Sequence, residues 1–156
     1  DPQKIHEQEQ FQVQKSIIHL TNKNYMWPSF TENPAIVRAI YRDEIPPLQN
    51  VYLQELKIVN GEDIQCYLKF DIWELPKIQP EKWIERNVNA VQIDLVLINS
   101  EILFFKLSGS NLAGKLEIDL VGDYKKVSFS INGRIVFVIR SKWLNVQSII
   151  GYQISK

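Results

Sequence analysis

Ile64-Gln65-Cys66-Tyr67-Leu68-Lys69-Phe70-Asp71-Ile72 is apolar at every even position and polar or amphipathic at every odd one, the period of a strand with one buried face. Just upstream, Val51 to Val59 carries a comparable run, and between the two lies Asn60-Gly61, a dipeptide that tolerates positive φ. The pair is therefore predicted to be a hairpin. A two-residue loop would set Leu56 opposite Gln65 and Ile58 opposite Asp63, mixing buried and exposed faces. A three-residue loop aligns Leu56 with Cys66 and Ile58 with Ile64 and keeps one face apolar, with a bulge at the turn.

Downstream, Glu74 to Asn89 interrupts the alternation with Pro76, Pro80 and Trp83 and reads as an irregular connection with one helical turn at Glu81 to Glu85. Strands resume at Val91, Ile93, Leu95 and Leu97. Ile102 to Leu107 is apolar on both faces and suits a central strand. Leu116, Ile118 and Leu120 form the next buried row. Val127, Phe129 and Ile131 then lead through Asn132-Gly133 into Ile135 to Arg140, and a last strand is expected over Val146 to Ile154. No helix-length segment separates these strands, so parallel crossovers are not called for. The predicted fold is mostly β (α+β): an antiparallel, strongly curved sheet, sandwich or partial barrel with one short N-terminal helix.

That helix is expected over residues 34 to 42, with Asn33 as its cap, Pro34 at its first position and Ile36, Val37, Ile40 and Tyr41 as an apolar stripe. Pro46-Pro47 must end it. Residues 1–16 hold little to bury beyond Ile5, Phe11 and Val13, so they read as a polar arm or loosely held edge strand, leaving 17–156 as a single domain.

Composition narrows the function. Eighteen basic and eighteen acidic side chains cancel, so no global field draws the chain to nucleic acid or an anionic membrane. No apolar stretch reaches the roughly 20 residues of a membrane span, and no signal-peptide pattern opens the chain, so the expectation is a soluble, cytoplasmic protein. The single Cys66 falls on an apolar strand face, where a buried inert thiol is the usual occupant. His6 and His19 have no Cys or His at ligand spacing, so no metal is expected. Ser29, Ser108 and Ser110 lack a nucleophile elbow, and Gly109, Gly114 and Gly122 do not form a phosphate loop, so no cofactor is expected.

What remains are aromatics and carboxylates. Of Trp27, Trp73, Trp83 and Trp143, large aromatics ordinarily close the edge of a core, yet Trp73 and Trp83 lie in or beside the irregular connection, where aromatics serve as interface anchors. Glu117 and Asp119 share a strand face, and Asp94 lies on another. Paired acids on a strand are ordinarily a solvated face; a glycosidase would need them opposed across a cleft. If Ile93, Leu95, Leu116, Ile118, Val127 and Phe129 face one core, the opposite side carries these acids together with Ile135, Phe137 and Ile139. The helix at 34–42 is expected to cover that apolar part and leave the acids as a rim for a basic partner.

One longer pattern joins several of these pieces. Glu44-Ile45-Pro46-Pro47-Leu48-Gln49-Asn50-Val51 with Leu53 and Glu55-Leu56, then Phe70-Asp71-Ile72-Trp73-Glu74-Leu75-Pro76, Pro80-Glu81-Lys82-Trp83, Asn89 to Leu95 and Ile149-Ile150-Gly151-Tyr152 resemble, in order, the immunity protein 50 family of bacterial polymorphic toxin systems. The resemblance runs from about residue 27 to the end. Thr31-Glu32 departs from it, standing where some related sequences carry a His-Asp pair. It implies a non-catalytic protein that occludes a cognate toxin C-terminal domain in the bacterial cytoplasm. Trp73, Glu74, Trp83, Asp94, Glu117 and Asp119 are then the candidate interface, and a non-catalytic carbohydrate or small-ligand module using the same aromatics is the alternative.

Overall fold

The computed structural model describes residues 2–10 and 24–155. Residues 2–10 are helical (α1) and exposed, so of the two expectations for this segment the edge strand is not formed there; Phe11, Val13 and His19 lie outside the described residues. A short 3-10 turn, Trp27–Phe30, and α2, Ala35–Tyr41, precede six strands: β1 (Val51–Asn60), β2 (Ile64–Ile72), β3 (Ala90–Phe105), β4 (Ala113–Val121), β5 (Tyr124–Ile131) and β6 (Arg134–Tyr152). Helix α3, Glu81–Glu85, sits in the β2–β3 connection at its predicted place.

All pairings are antiparallel, and the sheet closes into a barrel in the order β1-β2-β3-β6-β5-β4. Closure rests on a short seam. Val51 lies opposite Gly114 and Tyr52 opposite Ala113, flanked by the Leu53 N–H donating to Leu112 O and the Leu116 N–H to Leu48 O, each at 3.0 Å.

The interior follows from the alternation. Cys66, Leu68, Phe70 and Ile72 of β2 meet Val91, Ile93, Leu95 and Leu97 of β3, all buried. Val127 and Phe129 lie opposite Ile139 and Phe137, and the last two rings stack with centroids 5.6 Å apart. Paired residues share a face, so Phe137 and Ile139 line the barrel and not its outside. Each such ring contributes about 2–3 kcal/mol by leaving water. Only Ile135 of that expected outer group stays exposed, and α2 does not cover it: α2 packs on β6, sending Val37 and Tyr41 into the core.

The remaining differences are local. The first hairpin has its three-residue loop, but the loop is Gly61-Glu62-Asp63, so Leu56 opposes Leu68 and Ile58 opposes Cys66. The shift of two preserves the buried face, which is why alternation could not detect it. A bulge at Gln54 then resets the register. Two expected strand pairs are single long strands. Leu97 opposes Leu144 and Ser100 opposes Ser141, so both strands change phase together around Asn99, held at φ 56°, and pairing continues through what reads as a break. Ile102 to Leu107 is not central either: β2 stops following β3 at Leu97, and Leu103, Phe104, Phe105 and Leu107 are exposed. Finally, Pro34 occupies the cap position of α2, and Asn33 has another task, its amide bonding the Val146 backbone at both ends (2.7 and 2.9 Å).

Candidate functional site

The loop between α2 and β1 is where the surface is most shaped. Trp27 is buried and donates its indole N–H to Pro46 O at 2.8 Å, while Leu48, held at φ 56°, drops its side chain into the core. These two anchors hold Pro46-Pro47 as a ridge between two clefts.

On one side is a cleft of about 530 Å³, with Tyr41, Ile45 and Leu75 offering apolar surface and Asp43, Glu44 and Glu74 offering carboxylates. Tyr41 fastens its wall, donating its hydroxyl to Glu74 O at 2.8 Å. Burial, and then the Glu74 charge, push the Tyr41 phenol well above its usual range. Glu44 meets Lys77 at 3.7 Å, with both side chains largely in solvent, so this pair contributes little. Trp73 precedes Glu74 at the end of β2. Ile72 is buried inward, and Trp73, next in the alternation, is 44% exposed.

On the other side of Pro47 is a smaller cleft of about 260 Å³, lined by Trp27, Leu48, Lys115 and Glu117. Glu117 bridges Lys115 at 2.7 Å, and Asp119, further along β4, lies opposite Lys126 of β5. Both acids are thus set among cations of their own wall.

The other two candidates lie elsewhere. Trp83, on α3, is part of the core's outer layer, its indole lying directly over Gly151, where an added Cβ would come within 2.6 Å of the ring. Asp94 lies in the middle of β3, opposite Lys69. Its partial burial raises the carboxyl above its usual range, Lys69 lowers it, Glu55 raises it and Lys57 lowers it. The structure therefore brings Trp73 and Glu74 together, sets Glu117 across the proline ridge, and leaves Trp83 and Asp94 apart.

Two features were not read as site elements from the sequence. Asp43 and Glu44 flank the Pro-Pro ridge, and their signal was available, since Glu44 opens the stretch that carries the family resemblance. Asp71 gave none: an odd-numbered residue of β2, it should be solvated, yet it is fully buried. The bulge at Gln54 accounts for this by bringing the Gln54 amide to one Asp71 oxygen at 2.5 Å, while Gln92 reaches the other at 3.3 Å. Burial, then Asp71, hold the neighbouring Tyr152 phenol above its usual range.

Among the described residues no group of three or more His, Cys, Asp or Glu is placed to hold a metal ion. Burial raises the Cys66 thiol, with Ser100 opposing, which suits an inert core residue. The described surface at this barrel end presents an indole, a proline ridge and carboxylates. A small closed antiparallel β-barrel with such a ridged, acidic flank is the class of protein these features define. The family described as immunity protein 50 matches the chain over residues 33–152, and the chain belongs to that family. No curated protein and no solved structure is a significant match.

Proposed function

We propose that this protein binds a cognate bacterial toxin C-terminal domain in the cytoplasm and neutralises it by direct occlusion. Family membership supports the role. The exposure of Trp73 beside Glu74, at the end of a strand paired on both sides from Cys66 to Asp71, carries the choice of surface. A large amphipathic ring held on a rigid element loses little entropy on docking and is a preferred interface anchor. Asp43, Glu44 and Glu74 supply a polar rim for a basic partner, and Glu117 with Asp119 extend it beyond the proline ridge. Trp83 acts in this reading by holding the β2–β3 connection against Gly151. Asp94 belongs to the outer wall and adds long-range attraction.

The test is co-expression with the C-terminal domain encoded by the upstream neighbouring gene, where a cognate toxin is expected, reading growth rescue and co-purification. Rescue with a stable complex is expected. Trp73→Ala should weaken the complex by at least tenfold, the loss typical of an interface anchor, and charge reversal at Glu44 and Glu117 should slow association and flatten its salt dependence. A wild-type complex indifferent to all three changes would remove this surface from the interface. Absence of both rescue and complex with an active toxin would favour the ligand-binding alternative. For that reading the larger cleft is of a suitable size, and tryptophan fluorescence should then respond to glycans.

A further inference from the structure

The β3–β4 connection and the β5–β6 hairpin flank a further cleft, of about 470 Å³, that shares no lining residue with the two beside the proline ridge. One wall is set by the hairpin. Asn132 at φ 50° and Gly133 at φ 79° make its two-residue turn, which fixes Arg134 opposite Ile131, a residue packed against the core. The other wall is residues 106–112. It is tied at one end by the Lys106 N–H, which donates to Val136 O at 2.7 Å, and at the other by Leu112, which packs against the core and accepts from the Leu53 N–H at 3.0 Å. Gly109, at φ 90°, bends this segment between Ser108 and Asn111, and both of these line the cleft.

The charge of this cleft is one-sided. Lys106 and Arg134 line it from the two walls; among the described residues no carboxylate lines it, and neither cation forms an ion pair. In a chain whose eighteen basic and eighteen acidic side chains cancel, this is a local concentration of positive charge. Two like charges facing one cleft repel, and a bound anion replaces that repulsion with attraction to both. Ser108, Asn111 and Asn132 add a hydroxyl and two amides, which can donate to anionic oxygens and bond the hydroxyls of an attached body. Ile131 and Ile135 supply apolar surface beside them.

We infer that this cleft binds a small organic phosphomonoester. Such a phosphate carries about −1.5 to −2 charges at neutral pH, which matches the two cations, and a guanidinium can hold its oxygens in pairs. A single carboxylate would leave one cation uncompensated. Inorganic phosphate alone would leave most of the cleft unfilled, since its volume lies in the ordinary range for small-molecule sites. A nucleic-acid strand needs a charged track longer than one pair of cations. The clefts beside the proline ridge carry carboxylates and this one carries none, so the inference goes beyond the toxin-binding proposal and does not depend on it.

The test is isothermal titration calorimetry on the full chain, without toxin, using ribose 5-phosphate, AMP, inorganic phosphate and adenosine as probes. At least one of the two esters is expected to bind with a submillimolar Kd, at least tenfold more tightly than inorganic phosphate or adenosine. Arg134→Gln and Lys106→Gln should each weaken that binding at least tenfold, and either variant alone decides the point if the other fails a circular dichroism melt. Lys142→Gln removes a cation that lies over the Trp143 ring, away from the cleft, and should leave binding unchanged. Failure of both esters to bind at millimolar concentration overturns the inference. So does adenosine binding as tightly as AMP, or inorganic phosphate binding as tightly as either ester. Binding that ignores both cleft variants places the ester elsewhere, and an equal loss in all three variants reduces the effect to net charge; each of these also overturns it.

Discussion

At the residue scale, the clearest case of sequence dictating structure is Gly151. It opposes Val91 and lies under the Trp83 indole, where a Cβ would stand 2.6 Å from the ring and 2.9 Å from Val88. Gly151→Ala should therefore lift α3 from the barrel and cost about 1–3 kcal/mol, the usual range for forcing atoms into a filled contact; denaturant unfolding and a red-shifted indole emission would report it. Asp94 allows a pH test. Its folded-state carboxyl lies above the ordinary value, chiefly through burial, so the charged form is disfavoured by folding. The stability this lends is full below the unfolded value near 3.8 and is lost as pH rises through the folded one. Asp94→Asn removes the charge, so its melting temperature should exceed the wild type's at pH 7, and the gap should narrow towards pH 3.5; a gap that widens in acid contradicts the sign. Cys66 was legible as buried because alternation alone places it. Asp71 was not, because its burial depends on a bulge in another strand, and no pattern within β2 reports that.

At the element scale, asparagine side chains stand in for missing strands. Asn33 brackets Val146 with two bonds, and the adjacent Glu32 N–H donates to Leu144 O at 2.8 Å, so residues 32–33 act as a short surrogate neighbour for β6 where its pairing with β5 has ended at Ser141. Asn89 does the same for Ile154, at 3.1 and 2.7 Å. Asn33→Ala should leave the Val146 N–H and C=O without these partners and cost about 2 kcal/mol, at roughly 1 kcal/mol per bond. Faster amide exchange at Val146, with Ile139 unchanged, would localise the loss; uniform exchange would mean that α2 holds β6 by packing alone. The sequence made Asn33 look like a cap because Asn before Pro is a common helix start. The competing use requires a bare β6 edge, which only tertiary structure creates. The same reasoning covers the long strands: Asn99 and Ser141 resemble turn residues, and only their simultaneous phase change lets pairing run through.

At the scale of the whole molecule, the question left open by periodicity was whether the sheet closes, and Gly114 decides it. The β1–β4 seam is two residue pairs long, and Gly114 is opposite Val51 within it. A Cβ at that position would run into the Ser130 carbonyl oxygen and stand 3.0 Å from both the Ile131 side chain and the Phe129 ring. The first of these is backbone of the neighbouring β5 and cannot rotate away, so β4 with a side chain here must retreat either from β5 or from β1. The seam with β1 is much the shorter and should yield. Gly114→Ala is therefore expected to cost about 3 kcal/mol, at the upper end for overpacking, and to raise amide exchange at Leu53 and Leu116, whose N–H groups flank the seam. Gly61→Ala is the matched control, since its nearest obstacle is Asp63 O at 3.7 Å and its φ is unexceptional; it should stay within about 0.5 kcal/mol of wild type. Equal effects at the two glycines would mean that the barrel does not depend on its seam. If the proposed interface is correct, an opened seam should also weaken it, because Leu48, which anchors the proline ridge, is tied to β4 through Leu116, two residues beyond Gly114. The ridge and the closure of the barrel are then one structural unit, and a variant that opens the second should blunt the first without any change in the residues at the proposed interface.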